Sequence, residues 1–408
     1  KRIITSATPI AIVFERDRLL SLAVVFGLGE VSSQHDTIER LKVADQTEQA
    51  IALEDYRDWG SAGYYTFHLT YDAPSDFAFA AMGQRDTSPW KHRIRMLALE
   101  GQIYETDAAN PDFALIGRFD FAFVIAVISP LLLILLLHDL RASERASGRL
   151  ALLDATAASE NGLWFSRATW RVGALALALI IPLIAGGLIS GAGASVLFVA
   201  TLAVLLHLAF WWAVAAFVNT RGWTAPVNLT ALFGVWLALA IIAPAAMKTG
   251  IDTAVSVPDG GEIMLTQREA VNDAWDLPKD ATFDPFLERH PEWADYTAMD
   301  STFEWKWYYA FQQVGDQTAE PLSTAYREGR ERRETMASIL SWLSPPAKVE
   351  RVFQSLAETD MDAALEYEDR IRDFHANLRA FYYPGLFRGD AFTNEAIEAR
   401  PSFQVAVN

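Results

Sequence analysis

The sequence of 408 residues contains no cysteine, which excludes disulfide frameworks, thiolate metal sites and cysteine nucleophiles. It also lacks any Gly-Lys dipeptide, so it has no G-x-x-x-x-G-K-S/T phosphate loop, and any ATP that drives it must be bound by another subunit. Lys and Arg number 34 against 51 Asp and Glu, and the net charge of −17 argues against a nucleic-acid partner. The histidines are scattered and form no H-E-x-x-H motif, so we expect no metal site.

Uncharged apolar sequence, in contrast, is abundant. A charge-free stretch of about 49 residues precedes Arg221, and a membrane-spanning helix needs roughly 20. We therefore predict two spans in this stretch, 172–189 and 195–218, separated by a glycine-rich turn. Two further spans are predicted at 119–137 and 226–247, because soluble core helices rarely run this long without a charge.

Arginines in the short loops predict the orientation, because such loops retain Lys and Arg on the cytoplasmic side. The loop 138–171 carries five arginines and is therefore predicted to be cytoplasmic, together with the N terminus. Residues 31–117 and 249–408 are then expected outside the cytoplasm. The predicted location is the bacterial inner membrane, with multiple spans.

One apolar run is too short for this topology. Residues 19–29 would cover roughly 16 Å of a hydrocarbon core of about 30 Å, although a span is needed there to place the N terminus in the cytoplasm. The sequence also ends at Asn408 in polar residues. We therefore expect the first and last spans to be incomplete, with residues missing near 27–31 and beyond 408.

The segments outside the spans carry helical and strand patterns. A helix is predicted from a cap at Ser32 or Ser33 to Trp59, followed by a strand or extended segment over 64–71. Two later helical patterns cover 323–342 and 347–382, the second of which predicts one or two amphipathic helices that end at Pro384 and Gly385. The fold class is therefore mainly α, a polytopic membrane protein with a mixed helical extracytoplasmic domain.

Two sets of residues are candidates for a transport pathway or a substrate site. His207 lies within an apolar span, where a polar side chain serves an interhelical contact or a pathway. Ser195 is about 18 Å from it along one helix, so the two form no catalytic dyad. Trp305 and Trp307 could bind an apolar substrate, or could belong to a packed core or a membrane-interface belt.

The most informative segment is the loop 144–153, with the sequence ERASGRLALL between two spans. It predicts a helix with a small break that presents arginines and apolar residues to the cytoplasm. Such a helix could dock into a groove on a partner and transmit the partner's motion to the spans. The alternative is an amphipathic helix that rests on lipid.

This loop resembles the E-x-x-x-G-T-L-x-x-L-L signature of ABC-2 type transporter permeases. The resemblance rests on Glu144, Gly148, Leu150 and Leu153, with Leu152 one position before the leucine pair of the signature and with Arg149 in place of the family's threonine. In that family the segment is the coupling helix that contacts the ATPase subunit. The resemblance therefore implies coupling roles for these residues and for the neighbouring arginines, Arg141 and Arg145.

The external segments resemble a subfamily with large extracytoplasmic domains of uncharacterised function. The similar positions are Trp59–Tyr65, Gly83–Asp86, 356–360 and Phe374. The resemblance implies a six-span permease without catalytic residues of its own and with export as the direction. It also implies two cytoplasmic ABC ATPase subunits that bind ATP and Mg, a second or sister permease, and room for a periplasmic partner.

Together these expectations divide the chain into six segments. They are an elbow helix and incomplete span (1–30), an extracytoplasmic segment (31–117), a span (118–138), a cytoplasmic coupling loop (139–171), three spans (172–248) and a large extracytoplasmic domain (249–408). The competing interpretation is a non-transporting, membrane-anchored scaffold whose external domain binds a partner protein. An intramembrane enzyme is a third interpretation, which lacks a reachable nucleophile and base.

Overall fold

The computed structural model describes residues 8–86, 88–105, 119–157 and 160–404, with the backbone alone for 8–20, 84, 86, 160 and 161. Within these residues, four helical segments are long and apolar enough to cross a membrane. They are span 1 (Phe121–Ala146), span 2 (Gly162–Ser190), span 3 (Ala194–Asn219) and span 4 (Ala225–Ala254). Each overlaps one predicted span, and the prediction of a mainly α polytopic membrane protein is confirmed.

The helices of the spans are joined by short connections. Span 1 contains α4 (Phe121–Phe123), a π-helical turn (Val124–Ile128), α5 (Ser129–Leu137) and α6 (Ala142–Ala146), and the short α7 (Leu150–Thr156) follows it. Span 2 belongs to α8 (Glu160–Ser190) and span 3 is α9 (Ala194–Asn219). Span 4 contains α10 (Ala225–Leu237), a second π-helical turn (Ala238–Ile242) and α11 (Ala243–Ala254). The predicted glycine-rich turn between spans 2 and 3 is present, with Gly191 at φ +89°.

The first helix, α1 (Thr8–Asp55), is continuous, so the predicted helix start at Ser32 or Ser33 is wrong. Both serines are exposed, and the backbone N–H groups that a cap would satisfy are already inside a helix. The helix packs along α8, and Gly27 permits close contact with the bundle. A Cβ atom at Gly27 would lie 1.9 Å from the carbonyl oxygen of Phe79.

A separate domain covers one end of the bundle, and we call it the head domain (residues 56–105 and 255–404). Its first part contains α2 (Trp59–Tyr65), β1 (His68–Tyr71), β2 (Lys91–Ile94) and α3 (Glu100–Tyr104). Its second part contains α12 (Gly260–Asp273), α13 (Lys279–Arg289), α14 (Trp305–Leu340), α15 (Pro345–Leu356), α16 (Met361–Arg388) and α17 (Asn394–Glu398). The two parts share one aromatic core, while residues 77–81 of the first part pack into the core of the bundle instead.

The small sheet of the head domain is antiparallel, with His68 opposite Ile94 and Tyr71 opposite Lys91. The strand predicted over 64–71 is therefore only half correct. Tyr64 and Tyr65 belong to α2 instead, because the Asp58 side chain caps that helix by accepting a hydrogen bond from the backbone of Ser61.

The helices of the second part extend beyond their predicted ends. Helix α14 begins at Trp305, well before the predicted start at residue 323. Helix α16 continues through Pro384, so the predicted end at Pro384 and Gly385 is wrong. Gly385 lies against the ring of Trp59, where a Cβ atom would come within 2.1 Å of it, and the helix ends instead at Gly389 with φ +73°.

A helical hairpin fastens the head domain into the bundle. A 3₁₀ turn (Ser341–Leu343) links α14 to α15, and α15 buries Val349 and Phe353 in the core formed by the spans. We call this end of the bundle the head end. The opposite end, which carries α6, α7 and the turn between α9 and α10, is the loop end.

Candidate functional site

The loop segment (residues 141–157) consists of α6, which is the end of the helical segment of span 1, and of α7, with Gly148 between them. Gly148 has φ +72°, a left-handed conformation that glycine adopts without strain. The turn is closed by a hydrogen bond of 3.0 Å from the backbone of Arg149 to the carbonyl oxygen of Glu144. A Cβ atom at Gly148 would meet no atom within 4 Å. The predicted helix with a small break is therefore present, and the break faces open space.

Glu144 ties the loop segment to span 2. Its carboxylate accepts hydrogen bonds from Arg149 Nε at 2.8 Å and from Arg167 Nη1, on α8, at 3.2 Å. The Glu144 side chain is only 15% exposed, whereas that of Arg149 is 66% exposed. Glu144 is therefore the inner member of a small charge network whose outer member faces away from the bundle.

Two further contacts, through Arg145 and Arg141, hold the loop segment to the bundle. Arg145 Nη1 donates a hydrogen bond of 2.7 Å to the carbonyl oxygen of Gly222, in the turn between spans 3 and 4. The guanidinium groups of Arg141 and Arg167 both lie over the ring of Trp164, at 5.4 and 5.2 Å. Movement of the loop segment would therefore displace span 2 and the turn between spans 3 and 4 together.

The three leucines of α7 divide between two surroundings. Leu150 and Leu153 are partly buried against the core of the bundle. Leu152 is 66% exposed and points away from it. The segment thus has an apolar inner side that packs on the spans and an outer side with Gly148, Arg149 and Leu152 that is available for a partner or for lipid.

His207 lies near the middle of span 3 and is 4% exposed. Its ring is near the backbones of Ala126 and Pro345 and 6.4 Å from the ring of Trp211. Neither ring nitrogen makes a hydrogen bond of normal geometry with the described residues. His207 therefore lies where span 1, span 3 and the hairpin of the head domain meet, far from the loop segment.

Trp305 and Trp307 lie in the aromatic core of the head domain. Trp307 is 2% exposed, and its Nε1 donates a hydrogen bond of 2.7 Å to the hydroxyl of Thr282. Trp305 fills the space beside Gly60, where a Cβ atom would be 1.9 Å from the indole. Both side chains contact other aromatic rings of the same core. This is the packed-core surrounding that the sequence left open as one alternative.

The head end contains a cavity of about 600 Å³ that the sequence did not predict. It lies between α11, α14 and the beginning of α15, and several charged side chains line it together with apolar ones. In the sequence, residues 326–340 change from charged to apolar, which is the pattern of one cavity wall. The cavity could not be predicted from it, because α11, which forms the opposite wall, is distant in sequence. Among the described residues, no group of three or more His, Asp or Glu side chains is placed to hold a metal.

These features define a polytopic α-helical membrane protein with a helical head domain inserted into one end of its bundle. A family model described as "Domain of unknown function (DUF3526)" matches residues 261–406. The match covers α12 to α17, and includes 356–360 and Phe374, two of the positions on which the subfamily resemblance rests. No curated protein matches the chain. No solved structure matches it.

Proposed function

We propose that the chain is the permease subunit of an ATP-driven transporter of the ABC-2 type in the bacterial inner membrane. Two cytoplasmic partner subunits bind ATP and Mg and hydrolyse the ATP. The observation that carries the proposal is the loop segment, which is fastened to the spans through Glu144 and Arg145 while Gly148, Arg149 and Leu152 face outwards.

The contacts of the loop segment suit it to transmit motion. A displacement of α7 by a partner passes through the Glu144 carboxylate to Arg167 on α8. The same displacement passes through Arg145 to the turn at Gly222 and so to spans 3 and 4. Since these links reach different spans, the bundle responds as a group of helices and not as one helix. This is the mechanical connection that alternating conformations require.

The proposed orientation places the loop end in the cytoplasm, because its arginines occur in short loops next to the spans. The head domain then lies outside the cytoplasm, where it can gate the path or receive a periplasmic partner, and the direction of transport is export. Span 4 buries 17% of its most apolar window within the chain, against 61% for span 1. Its exposed side is available to a second or sister permease.

The competing function is a membrane-anchored scaffold whose head domain binds a partner protein. In that case Leu152 rests on lipid and the loop segment has no protein to contact. A scaffold and a permease differ in one simple respect, because only the permease brings an ATPase with it.

The proposal is tested by purifying the protein with its native neighbours in mild detergent and by assaying ATP hydrolysis of the wild type and of Gly148→Trp. Gly389→Trp is the matched control, because Gly389 also has a positive φ and also has no atom within 4 Å of a Cβ position. It lies in the head domain, far from the loop segment. Both substitutions strain the backbone to a similar degree, but only one enlarges the proposed docking surface.

We expect a P-loop ATPase to co-purify with the wild type and with Gly389→Trp. We expect Gly148→Trp to lose the ATPase, or to retain it without regulation of its activity by the permease. If no P-loop protein accompanies the wild type, the permease assignment is rejected and the scaffold is favoured. Equal loss in both variants would mean that Gly148 contributes to folding and not to docking.

A further inference from the structure

The cavity of about 600 Å³ at the head end lies beside span 4, where this span leaves the bundle. One wall is α11 and the opposite wall is the second half of α14, with the beginning of α15 below. Its volume lies in the range of roughly 300–1,000 Å³ that is usual for small-ligand sites. The cavity is therefore large enough for a headgroup and part of an acyl chain.

Two contacts fix how the opposing helices face each other. The hydroxyl of Ser344 donates a hydrogen bond of 2.7 Å to the carbonyl oxygen of Leu239, deep in span 4. Farther towards the head domain, Arg333 and Asp252 form an ion pair of 3.1 Å. Leu239 and Asp252 are about 20 Å apart along a helix, so α14 runs antiparallel to span 4 over that length.

Polarity changes along the cavity in the same direction on both walls. Near the Ser344 contact the lining is apolar, with Pro244 and Met247 on span 4 and Ala337 and Leu340 on α14. Near the ion pair the lining is charged. Apolar residues beside an apolar span and charged residues at its end match the two parts of an amphiphile, whose chain lies in the membrane and whose headgroup lies at its surface.

The charged part of the lining contains four cations and three carboxylates in a protein whose net charge is −17. The cations are Lys248, Arg330, Arg333 and Arg351. Arg330 and Arg351 are each paired with a carboxylate of their own, Glu368 and Glu334, whereas Lys248 and Arg333 share the single carboxylate of Asp252. Lys248 pairs with Asp252 at 2.5 Å, but its side chain is 79% exposed, so an acidic headgroup can reach it without displacing a buried pair.

We propose that this cavity binds an anionic amphiphile from the membrane leaflet at the head end. The apolar chain lies between Met247 and Ala337, and the acidic headgroup lies at Lys248 and Arg333. That this amphiphile is the transported substrate rests on the transporter function proposed above; the binding itself does not.

The experiment uses the full-length chain in nanodiscs of phosphatidylethanolamine and phosphatidylglycerol at a ratio of 3:1. The probe is a lysophosphatidylglycerol with a photoactivatable diazirine in its acyl chain. Unlabelled lysophosphatidylglycerol and the neutral detergent dodecyl maltoside are the competitors, and labelled residues are mapped by peptide mass spectrometry. The same labelling is repeated with any co-purifying ATPase removed.

Two substitutions with matched controls test the two ends of the cavity. Ala337→Phe fills the apolar end, and Ala325→Phe places the same ring on an exposed position of the same helix outside the cavity. Lys248→Glu reverses a cation at the charged end. Arg332→Glu reverses an exposed cation of α14 that also belongs to an i,i+4 ion pair but does not line the cavity.

We expect saturable labelling of α11 and α14 that the unlabelled acidic lipid competes away and the neutral detergent does not. Ala337→Phe should abolish it, and Lys248→Glu should weaken it by at least about five-fold, since the loss of one cation near a membrane surface changes binding by that order and the new carboxylate also repels the acidic headgroup. Labelling that is unsaturable, spread over all spans and equal in the four variants would overturn the proposal. If labelling persists although no ATPase co-purifies, the site is retained and the transport function is rejected.

Discussion

Ser344 is completely buried, and its hydroxyl donates a hydrogen bond of 2.7 Å to the carbonyl oxygen of Leu239. Leu239 belongs to a π-helical turn, which interrupts the regular hydrogen-bond ladder of a helix. The other π-helical turn is supported in a similar way, because Trp236 Nε1 donates a hydrogen bond of 3.0 Å to the carbonyl oxygen of Val127. Side chains thus bond to carbonyls at both irregular turns of the bundle.

The first prediction concerns the anchor of the hairpin. Ser344→Ala should lower the free energy of unfolding by about 1–3 kcal/mol, because it removes the bond to Leu239 and also the cap that Ser344 provides for α15. Ser341→Ala is the control, since Ser341 is buried too but its hydroxyl donates a hydrogen bond to the carbonyl oxygen of Ser338, three residues earlier at the end of α14, and not to a span. Thermal unfolding in detergent measures both. Equal shifts in the midpoint would show that the anchor adds no stability.

The second prediction concerns Glu144. Glu144→Gln should change the stability by less than about 1 kcal/mol, because its ion pairs are partly exposed. In the proposed transporter, the same substitution should uncouple the ATPase partner, because the loop segment loses its charged link to Arg167. Arg167→Gln should act like Glu144→Gln, and the double variant should be no worse than either single one. Additive losses of ATPase regulation would contradict a shared link.

The third prediction separates two roles of Gly148. Gly148→Ala should destabilise the turn by about 1 kcal/mol, because a positive φ is unfavourable for alanine, and Gly148→Asn should be tolerated better. If the glycine serves only the turn, Gly148→Asn keeps ATPase binding. If a partner approaches the open side of Gly148 closely, Gly148→Asn also weakens binding. Affinity for the purified ATPase, measured by titration of both variants, distinguishes these results.

The spans could be predicted from the sequence because the absence of charge over about 20 residues is a local property. The break at Gly148 could also be predicted, because a glycine within a short helical pattern is likewise a local feature of the sequence. The hairpin could not, because Ser344 and the two prolines after it are typical of any helix break. Its position depends on Leu239, about a hundred residues earlier, and on a carbonyl whose availability follows from a π-helical turn that composition does not reveal.

The cavity was missed for a related physical reason. Its two walls are the helices that carry Met247 and Ala337, which are distant in sequence. The sequence of each wall alone is typical of the end of any helix. Trp305 and Trp307 show the opposite case. Their aromatic composition is equally compatible with a core and with a binding surface, and only the three-dimensional packing distinguishes the two surroundings.

Three buried histidines of the head domain make the stability of the protein depend on pH. Burial lowers the pKa of His68 to about 3 and that of His92 to about 4, and it holds the pKa of His375 well below its usual value. His92 is held between the hydroxyl of Tyr367 at 3.2 Å and the carbonyl oxygen of Ile103 at 3.3 Å. The folded domain therefore keeps these rings neutral, while the unfolded chain protonates them near pH 6.5.

The last prediction follows from the sign of this difference. Because the unfolded state binds more protons, the stability from the neutral rings is fully present above about pH 6.5 and is lost as the pH falls towards 4. His68 and His92 should each lower the free energy of unfolding by about 2 kcal/mol between pH 7 and pH 5. His92→Gln should therefore flatten the pH dependence of the unfolding midpoint, whatever its effect on stability at pH 7. His35→Gln, the same substitution at an exposed position of α1, is the matched control. Parallel curves for His92→Gln and the wild type would show that the neutral ring of His92 does not control acid stability.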